Sequence, residues 1–205
     1  MNFFSVIAES RTWRNVTYLL LAFPLGVFYF VFLVTGLSLG IGLLITLLGI
    51  PIIIGVLAAA HGLGAFERNL TNSLLGLKTP PAPLIAAQEG AWARAKALMS
   101  SSVTWRRVGY LLAVFPLGIA GLTLVAATAA VFAAGVVTPI FHERSWWFTT
   151  EEWMVDVWVV DSIWERLVVA VIGLLIALAL THVMNGVARL WGAFASRMLG
   201  PDSRA

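Results

Sequence analysis

The chain has no cysteine among its 205 residues, and only 11% of them are charged. Without cysteine there is no disulfide, no thiolate metal site and no cysteine nucleophile. So little charge excludes an ordinary soluble domain, about a quarter of which is charged. It also excludes disorder, which needs high charge and low hydrophobicity. Histidine is scarce: His61, His142 and His182. No basic run carries interleaved aromatics, so nucleic acid is not an expected partner. The GxSxG, HExxH, P-loop and dinucleotide-binding patterns are missing, and no catalytic residue is assigned. His142-Glu143 brings two metal-ligand types together, too few for a metal site.

What is present is apolar: 60% of the residues are hydrophobic. The length suits one membrane domain over residues 1–205. Residues 16–60 carry no formal charge. As one helix they would reach roughly 67 Å, twice the hydrocarbon thickness of about 30 Å. They are therefore expected to fold back at Thr35-Gly36-Leu37-Ser38-Leu39-Gly40. That gives spans over 16–34 and 37–60, with a further break at Gly49-Ile50-Pro51. Two later spans are expected over 108–137 and 163–188. The first span is too long for a signal-peptide core, and it is expected to remain as an anchor. No ionisable residue falls in the middle of a span as drawn, which disfavours an ion-coupled pump.

Eleven of the thirteen Lys and Arg precede the first span, join spans 2 and 3, or follow span 4. Only Arg144 and Arg166 lie elsewhere, among six acidic residues between 139 and 166. The positive-inside rule then places both termini and the central segment in the cytoplasm, with 139–165 outside.

An internal repeat organises the chain. TWRNVTYLLLAFPLG at 12–26 matches TWRRVGYLLAVFPLG at 104–118 at an offset of 92. Repeat 1 covers 12–77 and repeat 2 covers 104–200. With both entering from one side, a parallel repeat is expected, with its two-fold axis along the membrane normal. Trp13 and Trp105 read as interface anchors, with Arg14 and Arg106 at the headgroups. Tyr18 and Tyr110 follow four residues later, in reach of a cation–π or hydroxyl contact. Pro24, Gly26, Pro51, Pro116 and Gly118 are candidate hinges, or else packing kinks and close-approach sites.

The second repeat carries a Trp-rich, acidic insert at 139–165. Trp146, Trp147, Glu151, Glu152, Trp153, Asp156, Trp158 and Trp164 form a candidate ligand- or partner-reading cap, or an aromatic belt with solvated carboxylates. Val155, Val157 and Val159 alternate as a strand would. The spacing of Trp153, Val157, Val160 and Trp164 instead suggests a short interfacial helix, the reading preferred. Thr149-x-x-Glu152 and Ser162-x-x-Glu165 read as capping boxes.

Residues 61–103 read as two amphipathic helices, 62–77 and 84–100, split by a stiff Pro run at 79–83. The segment 186–199 echoes the first of them. These helices dock a partner or anchor to anionic lipid. His61 and His182 correspond at an offset of 121, a spacing compatible with bis-His haem ligation across a bundle. No other cofactor is expected.

The order TWR…YLL…FPLG, a Gly-rich second span with LLGIP, the second TWRRVGYLLAVFPLG, Thr138-Pro139, and the closing THVMNGVARLWGAFASRMLG resemble the prokaryotic "putative sensor" domain family over roughly 12–200. The resemblance implies an all-α, four-span membrane module, often fused to a two-component histidine kinase. Here five residues follow Gly200, so a partner is expected to carry any output. That partner is a kinase, a regulator, another membrane subunit or a second copy. Three functions are carried forward: a non-enzymatic sensory or regulatory module, a structural accessory subunit with a small-residue face at 120–134, and a haem- or lipid-binding protein.

Overall fold

The computed structural model describes residues 9–81, 91–137, 146–149, 156–160 and 162–201. The class is all-α, as expected, and four of its helices are long and apolar enough to cross a membrane. The chain is thus a multi-pass membrane protein. Its helices are α1 (Ser10–Gly42), α2 (Gly49–Leu75), α3 (Ala91–Ser100), α4 (Ser102–Phe132) and α5 (Ile163–Leu199). A π-helical turn, Ala133–Val137, extends α4.

The fold-back comes later than the small residues suggested. Helix α1 runs on to Gly42, and the turn is Leu43–Leu48, with Leu47 in the left-handed region at φ 60°. Gly36 and Gly40 are packing positions instead. A Cβ on Gly36 would overlap the Val56 side chain, and one on Gly40 the Ile53 side chain. Four residues apart, they form one face on which α2 lies close. Pro51 does not break a span. It sits in the first turn of α2, where backbone donors lack helical partners anyway and proline is tolerated.

The helix expected to lie separately over 62–77 is the second half of α2, which continues unbroken to Leu75 and stops at Gly76 in the left-handed conformation, φ 69°. Its buried side is Gly64, Glu67 and Thr71, while Phe66 points out. Leu70 and Leu74 of the same apolar stripe pack partly buried against the core, so this segment is part of the bundle rather than a separate interfacial helix. The segment 186–199 is likewise the end of α5. Of the expected helix 84–100, residues 91–100 form α3, and the remainder lies outside the described residues.

Ser162 and Glu165 form the capping box at the start of α5, each accepting a backbone N–H from the other's position. Before it, β1 (Trp146–Thr149) pairs antiparallel with β2 (Asp156–Val160). Residues 156–160 are therefore strand, not the preferred interfacial helix. Their run of Val and Trp suits a pleated surface better than a helical one.

The direction of the helices departs from the parallel repeat. Gly26 faces Val114 and Phe115, Gly118 faces Ala22 and Phe23, and Gly121 faces Leu19. Moving forward along α1 moves backward along α4, so the two are antiparallel. Consistently, Thr12 and Val16 line one cavity of about 360 Å³ with Val125 and Phe132. Helix α2 instead runs alongside α4, matching His61 to Thr104, Gly64 to Arg107 and Glu67 to Tyr110. Helix α5 runs alongside α1, matching Thr12 to Asn185 and Tyr18 to Trp191. The two-fold relation between repeats therefore lies across the helices rather than along them. Sequence identity established that the repeats are equivalent. It carries no information about direction, for which charge is the sequence's only guide.

Candidate functional site at the repeat axis

The repeat-equivalent tyrosines meet. Tyr18 and Tyr110 have hydroxyls 3.3 Å apart, and both rings are buried. Beside them lies Glu67, a carboxylate with no exposed surface. Tyr18 donates to its Oε1 at 2.9 Å and Tyr110 to the same oxygen at 3.4 Å. Tyr29 donates to Oε2 at 3.0 Å. Two carboxylate oxygens offer about four acceptor sites, and three are used by phenols of α1 and α4. On the other side, Trp191 donates from Nε1 to the Tyr110 hydroxyl at 3.3 Å and stands edge-on to the Tyr18 ring. The centre joins three repeat-1 residues, Tyr18, Tyr29 and Glu67, to Tyr110 and Trp191 of repeat 2.

Glu67 was not singled out by sequence. The available signal was a small and polar stripe at helical spacing, Ala60, Gly64, Glu67 and Thr71, inside an apolar helix. Ending the span at residue 60 hid it.

Two further stations flank the centre. On α1, Thr12 and Asn15 are bridged by Asn185 of α5: Asn185 donates to Thr12 Oγ1 at 3.0 Å and accepts from Asn15 at 2.7 Å. On α4, Thr104 and Arg107 are bridged by His61 of α2. His61 Nε2 lies 2.7 Å from Thr104 Oγ1, and Arg107 Nη1 lies 2.5 Å from His61 Nδ1. Thr12 and Thr104, like Asn15 and Arg107, are repeat equivalents. The bridging residue equivalent to His61 is thus Asn185, at an offset of 124, and not His182. The same offset pairs Leu75-Gly76 with Leu199-Gly200 and Glu67 with Trp191. Sequence had shifted this half of the repeat by three residues, just under one helical turn. Both His61 nitrogens are engaged by protein groups, which removes His61 as an iron ligand in this arrangement. Among the described residues, no group of three or more His, Asp or Glu stands ready to hold a metal ion.

Arg14 does not stack on Tyr18. It donates to the carbonyls of Ser73 and Leu74 at the end of α2. Arg106 similarly donates to the Gly200 carbonyl at the end of α5, at 3.3 Å. These are the orphan carbonyls of helix C-termini, which cations satisfy. Trp13 and Trp105 are exposed, and Trp105 donates to the Met99 carbonyl. Pro24 and Pro116 lie within α1 and α4, beside the glycine crossing. A Cβ on Gly26 would come within 2.7 Å of the Phe115 backbone, and one on Gly118 within 2.7 Å of the Ala22 carbonyl.

Of the cap residues, Trp146 and Trp147 lie on β1, Asp156 and Trp158 on β2, and Trp164 is exposed in the first turn of α5. Glu151, Glu152 and Trp153 lie outside the described residues. His182 lies within α5 and is half-buried.

Four apolar helices around a hydrogen-bonded core define a membrane domain. The family described as "Putative sensor" matches residues 18–199, and the chain belongs to it. No curated protein and no solved structure matches the chain.

Proposed function

We propose that the chain is a non-enzymatic sensory or regulatory module of a prokaryotic cytoplasmic membrane. In this reading the two repeats shift against each other about the tyrosine centre, and a partner protein reads the shift. The Trp-rich acidic segment ahead of α5 supplies the input. The opposite end of the same hairpin, where the basic start of α4 meets the end of α5, presents the output to a kinase, a regulator or another membrane subunit.

The observation that supports this most is Glu67. A buried carboxylate with no cation paired to it among the described residues is an expensive way to glue helices, because apolar packing alone would serve. Three phenols drawn from two helices give it alternative hydrogen-bond arrangements, and alternative arrangements are what a two-state element needs. Glycine at both crossing positions gives α1 and α4 a close contact across which such a change would pass.

The chain has no cysteine, so label pairs can be introduced cleanly. Spin labels on L20C and I119C, both exposed positions of α1 and α4, report the spacing of the repeats in lipid nanodiscs. The sensory reading expects E67Q to shift or broaden the distance distribution. A single distribution unchanged by E67Q overturns it. A structural subunit is then the better reading, and the exposed alanines at 126, 127, 129, 130, 133 and 134 favour it as a close-packing face.

A further inference from the structure

Arg107 is only 7% exposed, yet among the described residues no carboxylate pairs with it. Its partners are neutral: the ring and the carbonyl of His61. Its Nε is buried and makes no hydrogen bond. The charged groups that act on it are two further cations, Arg68 of α2 and Arg106 of α4. Arg68 donates to the neutral Asn69 side chain at 3.0 Å, and its Nε is also buried without a partner. Arg106 donates to the Gly200 carbonyl. Buried charges are normally paired, and leaving one uncompensated is strongly destabilising.

The fold does not require this cation. The repeat-equivalent station performs the same bridging with Thr12, Asn185 and Asn15, all neutral. The charged station has also been opened to admit the longer side chain. Gly64 lies where a Cβ would come within 3.1 Å of Arg107 Cδ, and its equivalent at the offset of 124 is Ala188. A position enlarged to hold a charge that packing does not need calls for a counter-charge that the described residues do not supply.

We propose that Arg107 and Arg68, with His61 holding Arg107 in place, form a binding site for a phosphate group. Guanidinium donors match phosphate oxygens in fork geometry. The neutral ring of His61 holds Arg107 in place without competing for the anion. The phosphate is either a lipid headgroup or a soluble phosphate, and the two sources are separable.

The test uses the full chain with two probes: inorganic phosphate added to detergent-purified protein, and nanodiscs of phosphatidylglycerol in phosphatidylcholine against phosphatidylcholine alone. The readouts are thermal stabilisation by phosphate and retention of phosphatidylglycerol in native mass spectrometry. R107N, which installs the residue of the neutral station, is expected to weaken binding roughly 10- to 100-fold, the loss of one charge-assisted contact. R68Q, outside the relay, is expected to weaken it in the same direction and guards against misfolding of R107N. Response to phosphatidylglycerol alone identifies a lipid headgroup. Response to inorganic phosphate identifies a soluble ligand. No response to either probe, or equal response in wild type, R107N and R68Q, would overturn the proposal.

Discussion

At the start of α1, Thr12 and Asn15 are bridged by Asn185. At the start of α4, Thr104 and Arg107 are bridged by His61. Both stations tie the first turns of a repeat to a helix running alongside, through a threonine and a residue three positions on. One is neutral and satisfied. The other holds a buried guanidinium whose Nε has no acceptor. A similar division crosses the centre, where Tyr18 has Glu67 and Tyr110 has Trp191 at the equivalent place. Duplication supplied the same scaffold twice, and each copy then diverged in chemistry. The positions of divergence, Glu67, Arg107 and Gly64, are where stability alone does not dictate the residue.

The largest effect is expected from forcing the two stations to be alike in the wrong direction. N15R buries a cation at 3% exposure among Thr12 and Asn185, and no glycine opposite corresponds to Gly64. The penalty of an uncompensated buried charge, about 3–5 kcal/mol, should appear as a lowered unfolding midpoint in mixed micelles. Tolerance of N15R would mean that the two stations are interchangeable.

Next comes the centre. E67A leaves the hydroxyls of Tyr18 and Tyr29 without their carboxylate, and the Tyr18–Tyr110 contact recovers only part of the loss. The expected cost is about 2–4 kcal/mol by the same unfolding measurement. E67Q keeps one acceptor oxygen and should lose less. On the other side of the axis, W191F removes a single N–H donor and keeps most of the ring. It should cost only about 1 kcal/mol. Equal losses at the two sides would erase the asymmetry drawn between Glu67 and Trp191.

Much of the frame was legible. Apolar runs separated by charge, the TWR…FPLG repeat and the Ser162–Glu165 box each follow from local rules, and each has its counterpart in the helices. The central site was not legible, for two physical reasons. Hydrophobic periodicity assumes that apolar residues face inward. In a lipid-facing bundle that assumption fails at Phe66, which advertised the wrong side of α2 while Glu67 lay within. Directions were also inferred from charge, but Arg14, Arg106 and Arg107 satisfy carbonyls and a histidine instead of only marking a membrane face. Single cysteines at Leu47 and Ile163 check the directions. The charge pattern puts both connections outside. The antiparallel α1 and α4 have C-terminal ends pointing apart, so a membrane-impermeant maleimide is expected to reach the two cysteines from opposite sides. Labelling of both from one side would return the topology to the charge rule.

The smallest expected change in stability is the most informative about Arg107. If the guanidinium were structural, replacing it would break the relay and unfold the start of α4. The neutral station argues otherwise, since an amide at the equivalent position completes the same bridge. In R107N, or in the double variant H61N/R107N that copies the first station outright, the cavity beside Gly64 and a lost donor act against stability. Relief of an unpaired charge acts for it. Neutral replacements of buried ionic groups are often neutral or stabilising. The unfolding midpoint in phosphate-free detergent should therefore stay within about 1 kcal/mol of wild type. A loss as large as that of N15R would show that the charged station is held by its charge, and that the two stations, though built on one plan, are no longer held by the same forces.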